Sequence, residues 1–475
     1  MNMADYTNLR KSFLARRFLL AILFLIPLFF GIGLRPAQAQ ATYPVYIVEY
    51  GDTLSWIAQR FDTTLDQLMT LNNIQPDDVL RPGDRLQIPS LEGMQGVLTT
   101  EYVTLGSSLT SLSRRSQTDT AVLVKANRLT SPSELFIGRE IIMTTQENGS
   151  FMTTMPAIKP GQSFLEASVL SGKNTWLLAE MNGLASPTMG MPMDTYYMPS
   201  TEENGSNLAL PGVKSIVLDN LPLYQGDTFL IEVESDQPVT IHADLASIQP
   251  TFVDLGGVQM AYGGINALTE PGVYPLTMTV TYPDGSEYRF DQLVMISSGN
   301  FSIDEPLQVD PESTGTEAEK AENDKFKSVI AAVTPAQYWD GLWYSPAQDA
   351  DCIISQFGSR RTYNDNPGVY YHTGLDLGYC KGTDVYAPAR GTVVGVFPDQ
   401  VVRGNSIVID HGMGVYTTYM HLSEILVEQG DIVESGQLIG IIGTTGRSTG
   451  PHLHFEVDIQ GTPVNPLTWL RREFP

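Results

Sequence analysis

Reactive side chains are few in this 475-residue sequence, which holds two cysteines and six histidines. Two cysteines exclude a disulfide framework as the source of stability, so the chain must rely on buried apolar cores. Positive charge is short as well, with 28 Lys and Arg against 53 Asp and Glu and a formal net charge of −25. That imbalance excludes broad electrostatic binding of nucleic acid, anionic lipid headgroups or anionic wall polymers. Long hydrophobic stretches are rare, and the exception runs from Phe18 to Leu34, after Arg10, Lys11, Arg16 and Arg17 and before Ala37-Gln38-Ala39. This pattern is that of an export signal cleaved after Ala39. The run is long for a signal and short for a spanning helix, so an uncleaved membrane anchor stays open. Both place everything after Gln40 outside the cytoplasm, because the basic flank stays inside.

What is present points to several β-rich domains. Charged residues make up 17% while Gly and Pro number 42 and 30, a mix that suits strands and turns better than helical bundles. The length exceeds what one core serves. Five of the six histidines fall between His372 and His454, and only His242 lies outside. His372 and Asp376 stand four apart, His421 follows Tyr419-Met420, and His452-Leu453-His454 opens an apolar run to Val457. If that run is a strand, two-residue spacing puts His452 and His454 on one face. Histidines with one carboxylate are the ligand types of a catalytic zinc site, which takes three protein ligands and keeps a position open for water. His411, in the Asp410-His411-Gly412 turn, reads as structural, as does His242.

These residues, with Phe357-Gly358-Ser359-Arg360-Arg361 and Gly436-Gln437-Leu438-Ile439-Gly440, make the region from about Ile353 to Trp469 resemble the lysostaphin-type zinc metallopeptidases. That family cuts peptidoglycan cross-links. The resemblance implies one zinc per chain held by His372, Asp376 and His454, with His421 and His452 as catalytic histidines that are not ligands. It further implies an antiparallel sheet carrying a groove with the metal at its floor. Cys352 and Cys380 bracket His372 and read as a disulfide of an exported protein, with free thiols or metal binding as the alternatives. Closing that loop would stabilise by about 3 kcal/mol in the chain-entropy account.

Residues 45–89 alternate as a short strand, then place Leu54, Ile57, Ala58 and Phe61 at helical spacing after Gly51-Asp52-Thr53, and close on Leu86-Gln87-Ile88. This βααβ unit resembles the LysM module, which binds glycans containing N-acetylglucosamine. The resemblance points to Gly51, Asp52, Thr53 and Asn72 as sugar contacts, with a helix-end cap as the other reading of Asn72. Adding 55 to Gly51, Leu54, Asn72 and Gly83 gives Gly106, Leu109, Asn127 and Gly138, and adding 110 to the first and third gives Gly161 and Asn182. Residues 100–144 and 155–199 are therefore expected as degenerate repeats, with Ser107-Ser108 and Gln162-Ser163 where Asp52-Thr53 stands.

Short alternating runs between Gly and Pro turns over 205–298 suggest an immunoglobulin-like β-sandwich with no chemistry of its own. Residues 300–335 read as an acidic linker with a short helix, and 336–475 as the metallopeptidase domain. Trp339, Trp343 and Tyr344 either pack against its sheet or line its mouth. The expected fold class is multidomain and mainly β. The expected protein is an exported, cell-wall-associated zinc endopeptidase whose partner is peptidoglycan, as peptide substrate and as glycan. Nucleic acid is not expected as a partner, and a membrane is expected only if the N-terminal segment is uncleaved. A non-catalytic wall-binding or amidase-activating protein is the alternative from another class, and a secreted protease for other proteins the alternative in substrate.

Overall fold

A computed structural model describes residues 43–475, apart from 93, 146–150, 160, 193, 201–209, 310–312, 350 and 365–369. The segment expected as an export signal, residues 1–39, lies outside the described residues. Among the described residues no helix is long and apolar enough to cross a membrane. The fold class is the expected one, mainly strands with short helices near the N-terminus.

Three βααβ units come first. β1 (Val45–Ile47), α1 (Leu54–Arg60), α2 (Leu65–Asn72) and β2 (Arg85–Gln87) form repeat one. Repeat two comprises β3 (Val97–Tyr102), α3 (Leu109–Ser116), α4 (Thr120–Ala126) and β4 (Glu140–Thr145). Repeat three comprises β5 (Phe151–Thr154), α5 (Phe164–Leu170), α6 (Thr175–Met181) and β6 (Tyr197–Ser200). Repeats one and two share one sheet in the order β2-β1-β3-β4, joined by a parallel pairing of Val45 with Val97, and they share one apolar core. A hydroxyl caps the first helix of each unit: Thr53, Ser108 and Ser163 accept from the backbone N–H three residues on.

One asparagine holds each unit closed. Asn72 donates to the carbonyls of Leu68 and Gln87, both at 2.8 Å, and accepts from Gln87 N–H at 2.6 Å. Asn127 repeats this with Leu123 and Ile142, and Asn182 with Leu178 and Tyr197. The side chain ties the end of the second helix to the closing strand, which satisfies backbone groups that a helix end leaves open. Asn72 thus clamps the unit, its amide bonding inside the fold as the helix-end reading expects. Asp52 is likewise engaged internally, accepting from the Tyr46 hydroxyl at 2.8 Å and from Glu49 N–H at 2.7 Å. Of the four residues expected to contact glycan, Gly51 alone has no side chain committed to the turn.

The sandwich follows as two four-stranded sheets. β7 (Val213–Asp219), β9 (Thr228–Ser235), β11 (Val253–Asp254) and β12 (Val258–Gly264) form one, and β8 (Leu223–Tyr224), β10 (Thr240–Leu245), β13 (Gly272–Thr281) and β14 (Glu287–Ser297) the other. Its Leu230, Val253, Met260 and Tyr262 belong to the core of the C-terminal domain, where Trp469 Nε1 donates to Thr228 Oγ1 at 3.0 Å. Trp339 and Trp343 are buried in that same core, so they pack, whereas Tyr344 is half exposed.

The stretch read from composition as a linker is packed against the C-terminal domain. Ile303 and Leu307 pair in parallel with Arg360 and Tyr363. Helix α7 (Glu317–Val329) then seats Phe326, with Ile330 beyond it, against Phe397, Val408 and Tyr416. Two apolar residues in an acidic segment are enough to anchor it when backbone pairing precedes them.

The C-terminal domain is built on β15 (Ile353–Ser355), β16 (Arg360–Arg361), β17 (Tyr370–Tyr371), β18 (Leu375–Leu377), β19 (Asp384–Tyr386) and β20 (Gly391–Gln400). It continues through β21 (Gly404–Asp410), β22 (Val415–Ile425), β23 (Ile432–Val433), β24 (Leu438–Ile442), β25 (Leu453–Ile459), β26 (Thr462–Val464) and helix α8 (Pro466–Arg471). Its main sheet runs β15-β18-β25-β22-β21-β20-β23, all antiparallel. Cys352 and Cys380 are disulfide-bonded with Cα atoms 6.0 Å apart, pinning β15 to the turn after β18.

Candidate metal centre and active site

Strand register assembles the site. Asp376 on β18 lies directly opposite His454 on β25, and His454 in turn opposes Met420 on β22. His372 precedes β18 by one turn and is fixed by backbone bonds to Ser359 and Gly358. Three donor atoms converge: His372 Nε2 lies 2.9 Å from Asp376 Oδ1 and 2.9 Å from His454 Nδ1, and His454 Nδ1 lies 2.8 Å from Asp376 Oδ1. All three residues are buried, and among the described residues this His, Asp, His group can hold a metal ion.

Each of the three has a partner on its outer side. His372 Nδ1–H donates to the Gln356 carbonyl at 2.9 Å, His454 Nε2–H donates to Glu456 Oε1 at 3.0 Å, and Arg361 donates to Asp376 Oδ2 at 3.1 Å. These contacts fix both imidazole tautomers so that the inward nitrogens carry lone pairs, as metal ligation requires. Burial pulls His454 down, but the Asp376 and Glu456 carboxylates outweigh it and raise its pKa to about 9. Burial likewise opposes ionisation of Asp376, yet the two imidazoles hold it well below the ordinary carboxylate range. Burial pushes the His372 imidazole down, so its inward nitrogen keeps a free lone pair, and two imidazole nitrogens with one carboxylate oxygen fit zinc with a position left open.

Glu456 was not singled out in the sequence, although it stands two residues beyond His454 on the same strand face. Replacing an outer partner of a ligating histidine typically costs 10- to 100-fold in metal affinity. Glu456→Gln is therefore expected to weaken zinc binding by about 10- to 100-fold, read by competition with a calibrated chelator. Unchanged affinity would make Glu456 merely a packing residue.

Two further imidazoles face the same cleft. His421 would point away from it by strict alternation, but β22 carries an extra residue between its pairings with Asn405 and Ile407, and His421 adopts φ +65°. This bulge brings Met420 and His421 both onto the cleft. The His421 Nδ1–H donates to the Thr445 carbonyl at 2.8 Å, and burial, with the neighbouring His454 and His452 adding to it, lowers its pKa to about 3. His452 sits just before β25, bridged to Gly443, and its Nδ1–H donates to the Gly450 carbonyl at 2.8 Å. Its Nε2 lies 3.6 Å from Asp376 Oδ1, and the His421 and His452 rings are 4.9 Å apart. His411 is elsewhere, fully buried between the Arg390 carbonyl and Thr417, and burial lowers its pKa to about 4.

The cleft over these residues has a volume of about 540 Å³. Tyr370, Tyr371, Arg403 and Arg447 are among the residues that line it. The packed acidic stretch lines it from both sides, through Asp304 and Glu305 along β16 and through Glu319 and Asn323 on α7. Arg361 pairs with Asp304 at 3.1 Å and Arg447 with Glu319 at 2.9 Å, so these carboxylates are held by the groove's own arginines.

Residues 370–466 match the model of peptidase family M23, and residues 46–89 and 102–144 match that of the LysM domain. Among curated proteins, the chain is 44% identical over 115 residues to the peptidoglycan DD-endopeptidase ShyA of Vibrio cholerae serotype O1, covering 24% of this chain and 26% of that one. It is 47% identical over 119 residues to the DD-carboxypeptidase/endopeptidase Mpg of Neisseria meningitidis serogroup B, covering 24% and 26%. The chain thus spans about a quarter of the length of these relatives. Among solved structures, the catalytic domain of the antimicrobial peptidase lysostaphin from Staphylococcus simulans is 36% identical, with 22% of this chain and 80% of that one covered and a TM-score of 0.20.

Proposed function

From a chain that carries a peptidase family M23 domain behind LysM domains, we propose a zinc metalloendopeptidase that hydrolyses peptide bonds in peptidoglycan stems or cross-bridges. It acts outside the cytoplasmic membrane, at the cell wall, with repeat one engaging glycan through the loop at Gly51. The carrying observation is the convergence of His372 Nε2, Asp376 Oδ1 and His454 Nδ1 at the floor of a cleft that two more imidazoles share.

His372, Asp376 and His454 would hold the metal. When bound, zinc supplies Lewis acidity toward the scissile carbonyl and lowers the pKa of water to about 7. The chain's own residues then handle protons. His421, kept neutral with Nδ1–H on Thr445, presents Nε2 as a proton acceptor. His452, with Nδ1–H on the Gly450 carbonyl and Nε2 3.6 Å from Asp376 Oδ1, is placed beside the metal triad to act on an oxyanion or a leaving amine. Tyr370 and Tyr371 offer aromatic walls to an extended peptide, and Gly443, whose Cβ would clash with the Ser423 backbone, keeps the loop after β24 tight against β22. The intact set of five favours catalysis over a wall-binding role without chemistry.

The test is digestion of purified sacculi by the full chain, following new amino termini. One zinc per chain and release of amino groups that a chelator abolishes is the expected result. Zinc without release from sacculi, but with cleavage of soluble glycine-rich proteins, would move the substrate outside the wall.

A further inference from the structure

The turns at Gly51 and Gly83 of repeat one are solvent-exposed, and their counterparts in repeat two are partly covered by the sandwich. Tyr50 is 96% exposed, while its equivalent 55 residues on, Leu105, is 7% exposed within the sandwich's core cluster. Pro82 is exposed, while its equivalent Ile137 is 2% exposed in that cluster. Nothing lies within 4 Å of where a Cβ on Gly51 or Gly83 would stand, whereas one on Gly138 would meet the Leu221 side chain. Ile137 pairs in parallel with Val294 of β14, and its N–H donates to the Leu293 carbonyl at 2.7 Å.

One polar side chain completes the contact. Gln292 stands on β14 in the alternation that buries Tyr288, Val294 and Ile296, where an apolar residue is the rule. Its carboxamide leaves the sandwich for the first loop of repeat two. Gln292 Oε1 accepts from Gly106 N–H at 2.6 Å, and Nε2 donates to the carbonyls of Thr104 at 3.1 Å and Ser107 at 3.0 Å. A backbone cradle with one N–H and two carbonyls recognises an amide by both its ends. The acetamido group of an N-acetylated sugar likewise presents an acceptor oxygen for the Gly106 N–H and, with one N–H where the carboxamide has two, a donor for one of these carbonyls.

We propose that repeat two has exchanged glycan for the sandwich: Gln292 fills the amide-recognising cradle at Thr104, Gly106 and Ser107, so this repeat docks the N-terminal module and only repeat one is open to sugar. The missing Asp-Thr pair is not the cause, since Ser108 caps α3 as Thr53 caps α1, and the Ser107 hydroxyl lies 3.2 Å from that of Thr104. Closure comes from the neighbouring domain.

The test is amide hydrogen exchange on the full chain, alone and with a tetrasaccharide of N-acetylglucosamine. Gly106 is expected to exchange at least about tenfold slower than Gly51, since it is bonded and covered. Gln292→Glu, which turns a carboxylate toward two carbonyls, and Gln292→Ala should each speed Gly106 by about tenfold or more. The tetrasaccharide should slow exchange in 49–53 and leave 104–108 unchanged. Gly106 exchanging as fast as Gly51, indifference to both variants, or sugar protection of 104–108 in the unaltered chain would each overturn the proposal. Sugar protection of neither loop would defeat the glycan reading of repeat one, while the Gly106 comparison would still decide the docking.

Discussion

His454→Ala is expected to remove zinc and peptidoglycan cleavage together. The ring supplies one of three converging donor atoms and is held on both sides by carboxylates, Asp376 at 2.8 Å and Glu456 at 3.0 Å. Without it, two donors remain, fewer than the three that a catalytic zinc site uses. The same change leaves the buried Glu456 without its imidazole, so the melting temperature should be recorded beside the metal content. Metal analysis should give well under one zinc per folded chain, and amino-group release from sacculi should fall to background. A folded variant that keeps stoichiometric zinc and activity would remove His454 from the metal site.

His421→Ala is expected to separate the two properties. Its nearest fixed contact is the Thr445 carbonyl, and no donor atom of the metal triad bonds to it, so zinc should stay at one per chain. Turnover should fall by about 10² to 10⁴, the usual worth of a positioned acid or base. A drop in zinc parallel to the drop in rate would make His421 a ligand or a support for one. Full turnover would leave His452 as the sole proton carrier.

Much of this site was legible because its spaced motifs resemble those of a known family. His372 and Asp376 four apart, and His452 and His454 two apart, stand in motifs whose order survives without a structure. His421 was found by its motif, but the reason it reaches the cleft was not visible: a bulge and a left-handed backbone override strand alternation. Glu456 was missed although the period of the strand places it on the face of His454. Composition misread 300–335, because acidity signals solvation while β-pairing of Ile303 and Leu307 is a backbone property that no side chain announces. The loop of repeat one was less legible: Asn72 recurs as Asn127 and Asn182 to close each unit, while Asp52 and Thr53 serve the turn and the helix cap of repeat one, and recurrence alone does not separate a sugar contact from a clamp.

The parallel pairing of Val45 with Val97 makes the first two repeats a single sheet over a single core. Their boundary near residue 95 is therefore a boundary of sequence and not of cooperativity. Cutting there would strip β3 of its neighbour and expose an unpaired edge beside apolar residues such as Met94 and Leu98. Shuffling or grafting of the glycan-facing unit, by evolution or by design, has to move repeats one and two as a pair, with the sandwich surface that receives them.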